Sequence, residues 1–137
     1  MEKIVLKGRC VVPGIAEGEA LVTTEYISGW GGIDPVKGTV IDVRSDLYEE
    51  CFTGRVLVSK GAKGSSGWAG LFQQTRLQNT APAAMIFTSV NSKAALGSVV
   101  TRVPVVAELS EDPTEVIRTG DWVRVDGDQG IVEITRK

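Results

Sequence analysis

The sequence contains no histidine among its 137 residues, and it contains only two cysteines. A Ser–His catalytic pair formed within this chain is therefore excluded. Cys10 and Cys51 stand 41 positions apart, so a closed zinc or iron–sulfur site built from this chain is excluded as well. Any metal ion is expected to sit mostly on another chain, and both thiols are predicted to be free and buried.

Long apolar runs and blocks of like charge are also missing. No apolar run approaches the ~18 residues of a transmembrane helix, and residues 1–3 lead directly into a strand pattern and not a signal peptide. The 15 basic and 17 acidic residues are dispersed and give a net charge of −2. Neither nucleic acid nor an anionic membrane is therefore an expected partner, and a cytoplasmic location is expected.

The composition is that of an ordinary globular protein, with 42% apolar and 23% charged residues. A chain of this length can bury a core without disulfides or structural metals. We expect one domain over residues 1–137.

The first part of the chain indicates β structure, and the second part alternates strands with helices. The strands of the first part are predicted at Ile4–Leu6 with Cys10–Val12, at Glu19–Thr24 and at Thr39–Val43. Later strands are predicted at Arg55–Ser59, Ala83–Phe87 and Val103–Val106, and a closing hairpin joins Asp121–Val125 to Ile131–Thr135. Helices are predicted at Trp68–Gln78, Asn91–Thr101 and Pro113–Arg118. The alternation of strands and helices predicts an α/β domain with a short parallel sheet and crossover helices, and the hairpins predict a flanking antiparallel layer.

The glycine-rich turn Gly61–Gly67 lies between a predicted strand and a predicted helix. The first N–H groups of a helix lack internal partners and carry partial positive charge, so such a turn suits an anion. The spacing fits neither a phosphate-binding Walker loop nor a dinucleotide fingerprint. Two interpretations remain open: Ser65 or Ser66 caps the helix, which is worth about 1 kcal/mol, or the turn binds an anionic substrate.

The segment Ser28–Pro35 is the second candidate. It holds Trp30 among three glycines, Gly29, Gly31 and Gly32, and this composition predicts a loop and not a regular element. Trp30 either packs under the sheet or lines a cleft against a substrate or partner. The chain thus offers one anion-friendly turn, one aromatic–glycine loop and no complete catalytic set, which is typical of one half of an active site.

Several segments stand out, in this order along the chain: Pro13-Gly14 followed by Glu17–Val22, then Ser28–Pro35, Gly54–Val58, Lys63–Ser66 and Ala81–Ala84. Together they resemble the small subunit of aconitase X, the swivel-domain protein of the aconitase superfamily. The resemblance implies a swivelling β/β/α domain that docks on a large catalytic subunit carrying an iron or iron–sulfur centre. It also implies a hydro-lyase whose small hydroxy-acid substrate binds at the subunit interface.

The resemblance also implies a role for the serine turn. The family's catalytic base is the first serine after Lys/Arg-Gly, which is Ser65 here, and Ser66 with the glycine turn shapes the site. A helix N-terminus favours an alkoxide and a substrate carboxylate or phosphate, and we expect Lys63 to help lower the pKa of Ser65. The expected substrate-binding residues are Lys63, Gly64, Ser66, Ser28, Trp30, Gly31 and Gly32.

Two dehydrations occur in this family, of cis-3-hydroxy-L-proline in bacteria and of 5-phosphomevalonate in archaea. The run Ser66-Gly67-Trp68 is more similar to the bacterial branch, so cis-3-hydroxy-L-proline is the main expectation and 5-phosphomevalonate the alternative. Alternatives of other classes are a non-catalytic interaction domain and an isolated carboxylate binder. A phosphohistidine swivel domain is excluded because the chain has no histidine.

Overall fold

The computed structural model describes residues 2–28, 32–63, 67–89 and 92–136. Its strands are β1 Glu2–Lys7, β2 Arg9–Val12, β3 Ile15–Val22, β4 Ile27–Ser28, β5 Ile33–Asp34, β6 Thr39–Val40, β7 Val56–Ser59, β8 Ala62–Lys63, β9 Ala84–Phe87, β10 Val105–Ala107, β11 Trp122–Asp126 and β12 Ile131–Arg136. Its helices are α1 Gly67–Leu77, α2 Ser92–Thr101 and α3 Pro113–Val116.

Eight of these strands form one sheet in the order β1-β12-β11-β3-β7-β9-β10-β2. Strands β3, β7, β9 and β10 pair in parallel, with α1 and α2 as the crossovers between β7, β9 and β10. Strands β1, β12, β11 and the first part of β3 pair antiparallel. The predicted combination of a parallel sheet, crossover helices and an antiparallel layer is confirmed.

Alternate side chains of the parallel strands enter two different cores. On β7 and β9, Val56, Val58, Ala84 and Ile86 pack towards the antiparallel layer, together with Val123, Val125, Val132 and Ile134. Leu57, Met85 and Phe87 face the other way and pack with Phe72 of α1. Burial on both faces explains why these strands are short continuous apolar runs. The result is a β/β/α arrangement with the parallel sheet in the middle.

Strand β3 belongs to both β layers. Its first residues pair with β11 and its last three, Ala20 to Val22, pair with β7. Gly18 lies opposite Val123 of β11, two residues before the pairing with β7 begins, and an added Cβ would stand 2.9 Å from the carbonyl oxygen of Gly54. A side chain at position 18 would push away the turn that leads into β7, so the close approach of these two segments favours glycine.

Residues 23–52, which form most of the connection between β3 and β7, are called the crossing segment below, and here the sequence-based expectations fail most. The predicted strand Thr39–Val43 is only the two-residue β6, which pairs with β5, and Ile41 and Val43 point into solvent. The predicted loop 28–35 contains part of β4 and all of β5. Both errors arise because β5 and β6 need only two residues each for their hairpin, too few to generate a periodic pattern.

Candidate functional site

The candidate site starts from a short parallel pairing between β4 and β8. Ile27 lies opposite Ala62, and Ser28 lies opposite Lys63. The amide of Ile27 donates to the carbonyl of Gly61 at 2.9 Å. Ile27 and Ala62 are both buried in the core beneath the helices. The serine turn and the tryptophan loop, which are far apart in sequence, are therefore attached to the fold at neighbouring residues.

This pairing continues the contact between β3 and β7 towards the carboxyl end of the sheet. Beyond β3, the amide of Thr23 donates to the carbonyl of Val58, and the amide of Lys60 donates to the carbonyl of Glu25. Residues 20–28 thus run beside residues 56–63. In α/β sheets, ligands commonly bind in the crevice outside the carboxyl ends of the parallel strands. Both candidate segments begin at this edge.

Gly61 allows the chain to turn at this edge. Its φ is +141°, and an added Cβ would stand 3.1 Å from the carbonyl oxygen of Ser89 and 3.7 Å from the ring of Tyr26. The turn after β7, the turn after β9 and the entry to β4 therefore meet around one glycine. A side chain at position 61 would separate these segments.

Helix α1 begins at Gly67, directly after positions 64–66. Its first turn contains no acidic residue. An acidic side chain there would neutralise the partial positive charge that the helix dipole supplies, and an anionic ligand would have to compete with it. The start of α1 therefore retains its attraction for an anion.

Two hydroxyl groups at the same edge of the sheet were not identified from the sequence. Ser59 ends β7, Thr88 follows β9, and the amide of Thr88 donates to the carbonyl of Ser59 at 3.0 Å. Across the part of the chain that the structure describes, neither Ser59 Oγ nor Thr88 Oγ1 has a hydrogen-bond partner, although both are buried. A buried hydroxyl without a partner is costly, so both groups have hydrogen-bonding capacity to offer. The only sequence signal was a polar residue at the end of each apolar run.

The predicted site residues divide into two groups. For Ser28, Gly32 and Lys63 the structure describes the backbone, and it places Ser28 beside Lys63. Gly32 is buried, and its carbonyl accepts from the amide of Ile41 at 2.8 Å. The remaining predicted site residues, Ser65 with Gly64, Ser66, Trp30 and Gly31, lie outside the described residues.

The prediction that the two cysteines are buried is wrong. Cys10 and Cys51 are free thiols, and both are exposed. They lie on β2 and beside β6, respectively, at places where the chain runs along the surface. Within residues 2–28, 32–63, 67–89 and 92–136, no three Cys, Asp or Glu side chains lie close enough together to hold a metal ion. None of the helices in these ranges is long and apolar enough to span a membrane.

Residues 5–134 match the model of a protein family described as the aconitase X swivel domain. The chain therefore belongs to the aconitase X swivel-domain family, and the resemblance inferred from the sequence is confirmed.

Two curated relatives and two solved structures extend this match over nearly the whole chain. The phosphomevalonate dehydratase small subunit of Methanocella arvoryzae is 39% identical over 95% of this chain and 98% of its own length. The corresponding subunit of Archaeoglobus fulgidus is 38% identical over 92% and 95%. The holo-form crystal structure of Thermococcus kodakaraensis aconitase X superposes with a TM-score of 0.92, at 35% identity, over 97% of this chain and 99% of that one. A solution NMR structure of a UPF0107 protein superposes with a TM-score of 0.85, at 36% identity, over 97% and 100%.

These relatives confirm the swivelling β/β/α fold and the expectation of a subunit of an aconitase X-type hydro-lyase. They do not favour the expected substrate. The two curated relatives are named after phosphomevalonate and not after cis-3-hydroxy-L-proline, so they favour the alternative of the sequence analysis.

Proposed function

We propose that this chain is the small subunit of a phosphomevalonate dehydratase and contributes a proton-abstracting serine to an active site shared with a large subunit. Relatives of that name match the chain nearly end to end at 38–39% identity. The sequence-based prediction of cis-3-hydroxy-L-proline rests on only three residues, Ser66-Gly67-Trp68. A likeness over nearly the full length outweighs a likeness over one short run.

The observation that carries the proposal is the pairing of Ser28 with Lys63. It attaches the serine turn and the tryptophan loop at adjacent residues, at the carboxyl edge of the parallel sheet and just before the start of α1. The two groups of 5-phosphomevalonate that need recognition, a phosphate and a carboxylate, are both anions. A helix start and exposed backbone N–H groups bind such anions.

The proposed chemistry is a β-elimination. Ser65 takes the proton from the carbon next to the substrate carboxylate, and the electrons of that C–H bond form the new double bond. The C–O bond on the adjacent carbon breaks, and the hydroxyl group leaves as water after gaining a proton. A serine hydroxyl becomes a useful base only when its pKa is lowered, and the α1 dipole and the Lys63 ammonium both favour the alkoxide.

We propose that the iron or iron–sulfur centre belongs to the large subunit. The described residues of this chain offer no ligand set for it. The part assigned to this chain is to hold the substrate anions and to remove the proton.

The substrate is tested by reconstituting the chain with its large subunit and assaying 5-phosphomevalonate and cis-3-hydroxy-L-proline in parallel. We expect loss of water from 5-phosphomevalonate only. Turnover of cis-3-hydroxy-L-proline alone would refute the proposed substrate and show that this chain belongs to a cis-3-hydroxy-L-proline dehydratase.

The base is tested in the same complex with Ser65→Ala. We expect a fall in kcat of about 10²–10⁴-fold, the usual contribution of a general base, with subunit association unchanged. Ser66→Ala is the matched control, because it removes the neighbouring hydroxyl, and it should reduce turnover far less. If Ser65→Ala keeps wild-type turnover, Ser65 is not the base, and the result would favour the alternative of a non-catalytic interaction domain.

A further inference from the structure

The crossing segment exposes five large apolar side chains among its described residues. Its exposed members, which we call the 26–48 surface, are Tyr26, Val36, Ile41, Val43 and Tyr48. Val36 is 65% exposed and Val43 is 73% exposed, so these side chains meet mainly solvent in the free chain. Contiguous exposed apolar surface on a soluble protein marks sites of interaction.

The exposure is not a consequence of a loosely held backbone. The same segment buries Ile33, Val40, Leu47 and Phe52 in the core beneath the helices. Its backbone is also tied, because the amide of Val40 donates to Glu50 and that of Phe52 donates to Gly38. Buried side chains and backbone hydrogen bonds therefore hold the segment in place, and its remaining apolar side chains are exposed from an ordered backbone.

Two pockets contain members of this surface in their walls. A pocket of about 330 Å³ includes Ile41 and Tyr48 in its wall, and a second of about 240 Å³ is lined by Glu25, Tyr26, Asp42, Arg44 and Ser45. In the sequence, Val43 stands between Asp42 and Arg44, which line the second pocket. The ring of Tyr26 lies beside Gly61, where the serine turn begins. The surface therefore runs from the β5–β6 hairpin to the edge where the candidate site begins.

The charge of the segment restricts the partner. Residues 25–50 contain six acidic residues (Glu25, Asp34, Asp42, Asp46, Glu49 and Glu50) and two basic residues (Lys37 and Arg44), a net charge of −4. The net charge of the whole chain is −2, so the residues outside 25–50 have a net charge of +2. Arg55, just outside this range, pairs with Glu50 at 3.6 Å, and the segment together with Arg55 carries −3. Two copies of such a segment repel each other, whereas an apolar surface with a basic rim complements it.

We propose that the 26–48 surface docks this chain on the large subunit and thereby closes the candidate site. The identity of this partner rests on the proposed function. A hydro-lyase site shared between subunits needs the partner at the carboxyl edge of the parallel sheet, and this surface adjoins that edge. The large subunit should meet it with apolar side chains surrounded by lysine or arginine.

The test is the double variant Val36→Lys/Val43→Lys, assayed for binding to the large subunit by calorimetry without substrate. Lysine keeps these exposed positions soluble and opposes a basic rim, so we expect the dissociation constant to rise by at least about 30-fold, as for a hot-spot pair. Val5→Lys/Val99→Lys is the matched control. It makes the same change of charge at exposed valines of β1 and α2, and we expect an effect below about 3-fold.

Three results would overturn the proposal. They are an unchanged dissociation constant for Val36→Lys/Val43→Lys, an equal loss in the control variant, and loss of self-association of this chain in place of large-subunit binding. Thermal unfolding of each free variant verifies folding, and the single variant Val43→Lys replaces the double variant if the latter does not fold. Because binding is measured without substrate, a complex that forms normally but does not dehydrate 5-phosphomevalonate would refute the proposed function and leave the docking surface standing.

Discussion

The strands of the central sheet and the crossing segment use apolar side chains in opposite ways. Every residue of β7, β9 and β10 is buried, and their two faces supply two cores. The crossing segment buries some of its apolar side chains, such as Val40 and Phe52, and leaves others exposed to solvent, namely Val36, Ile41 and Val43. Apolar residues that are covered stabilise the free chain, whereas apolar residues that remain exposed can contribute only when a partner covers them. Substitutions in the two regions should therefore differ in size and in kind.

The largest effect on stability is expected at Phe87. Its side chain is fully buried between the sheet and α1, so Phe87→Ala should lower the free energy of unfolding by about 3–5 kcal/mol. Val43→Ala in the crossing segment is the contrast, and it should change the free energy of unfolding by less than ~0.5 kcal/mol. Denaturant unfolding of the free chain measures both. Similar losses at the two positions would show that Val43 is covered within the chain itself.

An intermediate effect is expected where the crossing segment is fastened to the body. Gly38 has φ +69°, and an added Cβ would stand 2.0 Å from Thr53 Oγ1 and 3.0 Å from the Cβ of Thr80. Gly38→Ala should therefore cost about 2–3 kcal/mol, from the left-handed backbone together with the close approach.

Gly54→Ala separates these two causes. Gly54 has nearly the same φ, +71°, but an added Cβ would meet nothing within 4 Å. Only the backbone term remains, about 1–2 kcal/mol. Equal losses at Gly38 and Gly54, measured by the same unfolding experiment, would mean that the hairpin is not held by close packing on Thr53 and Thr80.

A smaller effect than at Gly38 is expected at Thr80, whose hydroxyl donates to the carbonyl of Pro35 and links the β5–β6 hairpin to the residues after α1. Thr80→Val should cost about 1 kcal/mol, the net worth of one hydrogen bond. The loss should be local, so hydrogen exchange at the amides of Val40 and Phe52 should accelerate.

Asp112→Ala is the matched control, because it should cost about as much stability at a position outside the crossing segment. Asp112 caps α3 by accepting from the amide of Thr114 at 2.9 Å, and its removal should also cost about 1 kcal/mol. Exchange at Val40 and Phe52 should then remain as in the wild type. Equal acceleration in both variants would mean that the crossing segment opens only when the whole domain unfolds.

The regular part of the molecule was predictable from the sequence because its signals are local. The predicted strands Arg55–Ser59 and Ala83–Phe87 agree with β7 and β9 to within one residue. The helix predicted at Trp68–Gln78 is α1, displaced by one residue, and Asp112 caps α3 with Pro113 at its start as expected. Strand β3 was less clear: it begins at Ile15 and not at Glu19, because Gly18 and two glutamates conceal the alternation of its first half.

The candidate site was predictable only in its parts. The serine turn and the tryptophan loop were both selected from composition, but no local pattern indicates that Ser28 pairs with Lys63. Ser59 and Thr88 were missed because a hydroxyl at the end of a strand is ordinary until the packing around it leaves the group without a partner. Cys10 and Cys51 were assigned to the interior because burial of cysteine is a general tendency, which the surface course of their segments overrides.

The sequence by itself determined the periodicity of the central strands, the start of α1 after a glycine–serine turn, the family, and the absence of any histidine. These properties depend on neighbouring residues or on composition, so no fold is needed to see them. The tertiary structure alone decided that residues 27–28 lie beside residues 62–63, and that Ile41 and Val43 face outwards. Such features depend on which distant segments cover each other, and that outcome depends on the packing of the whole chain.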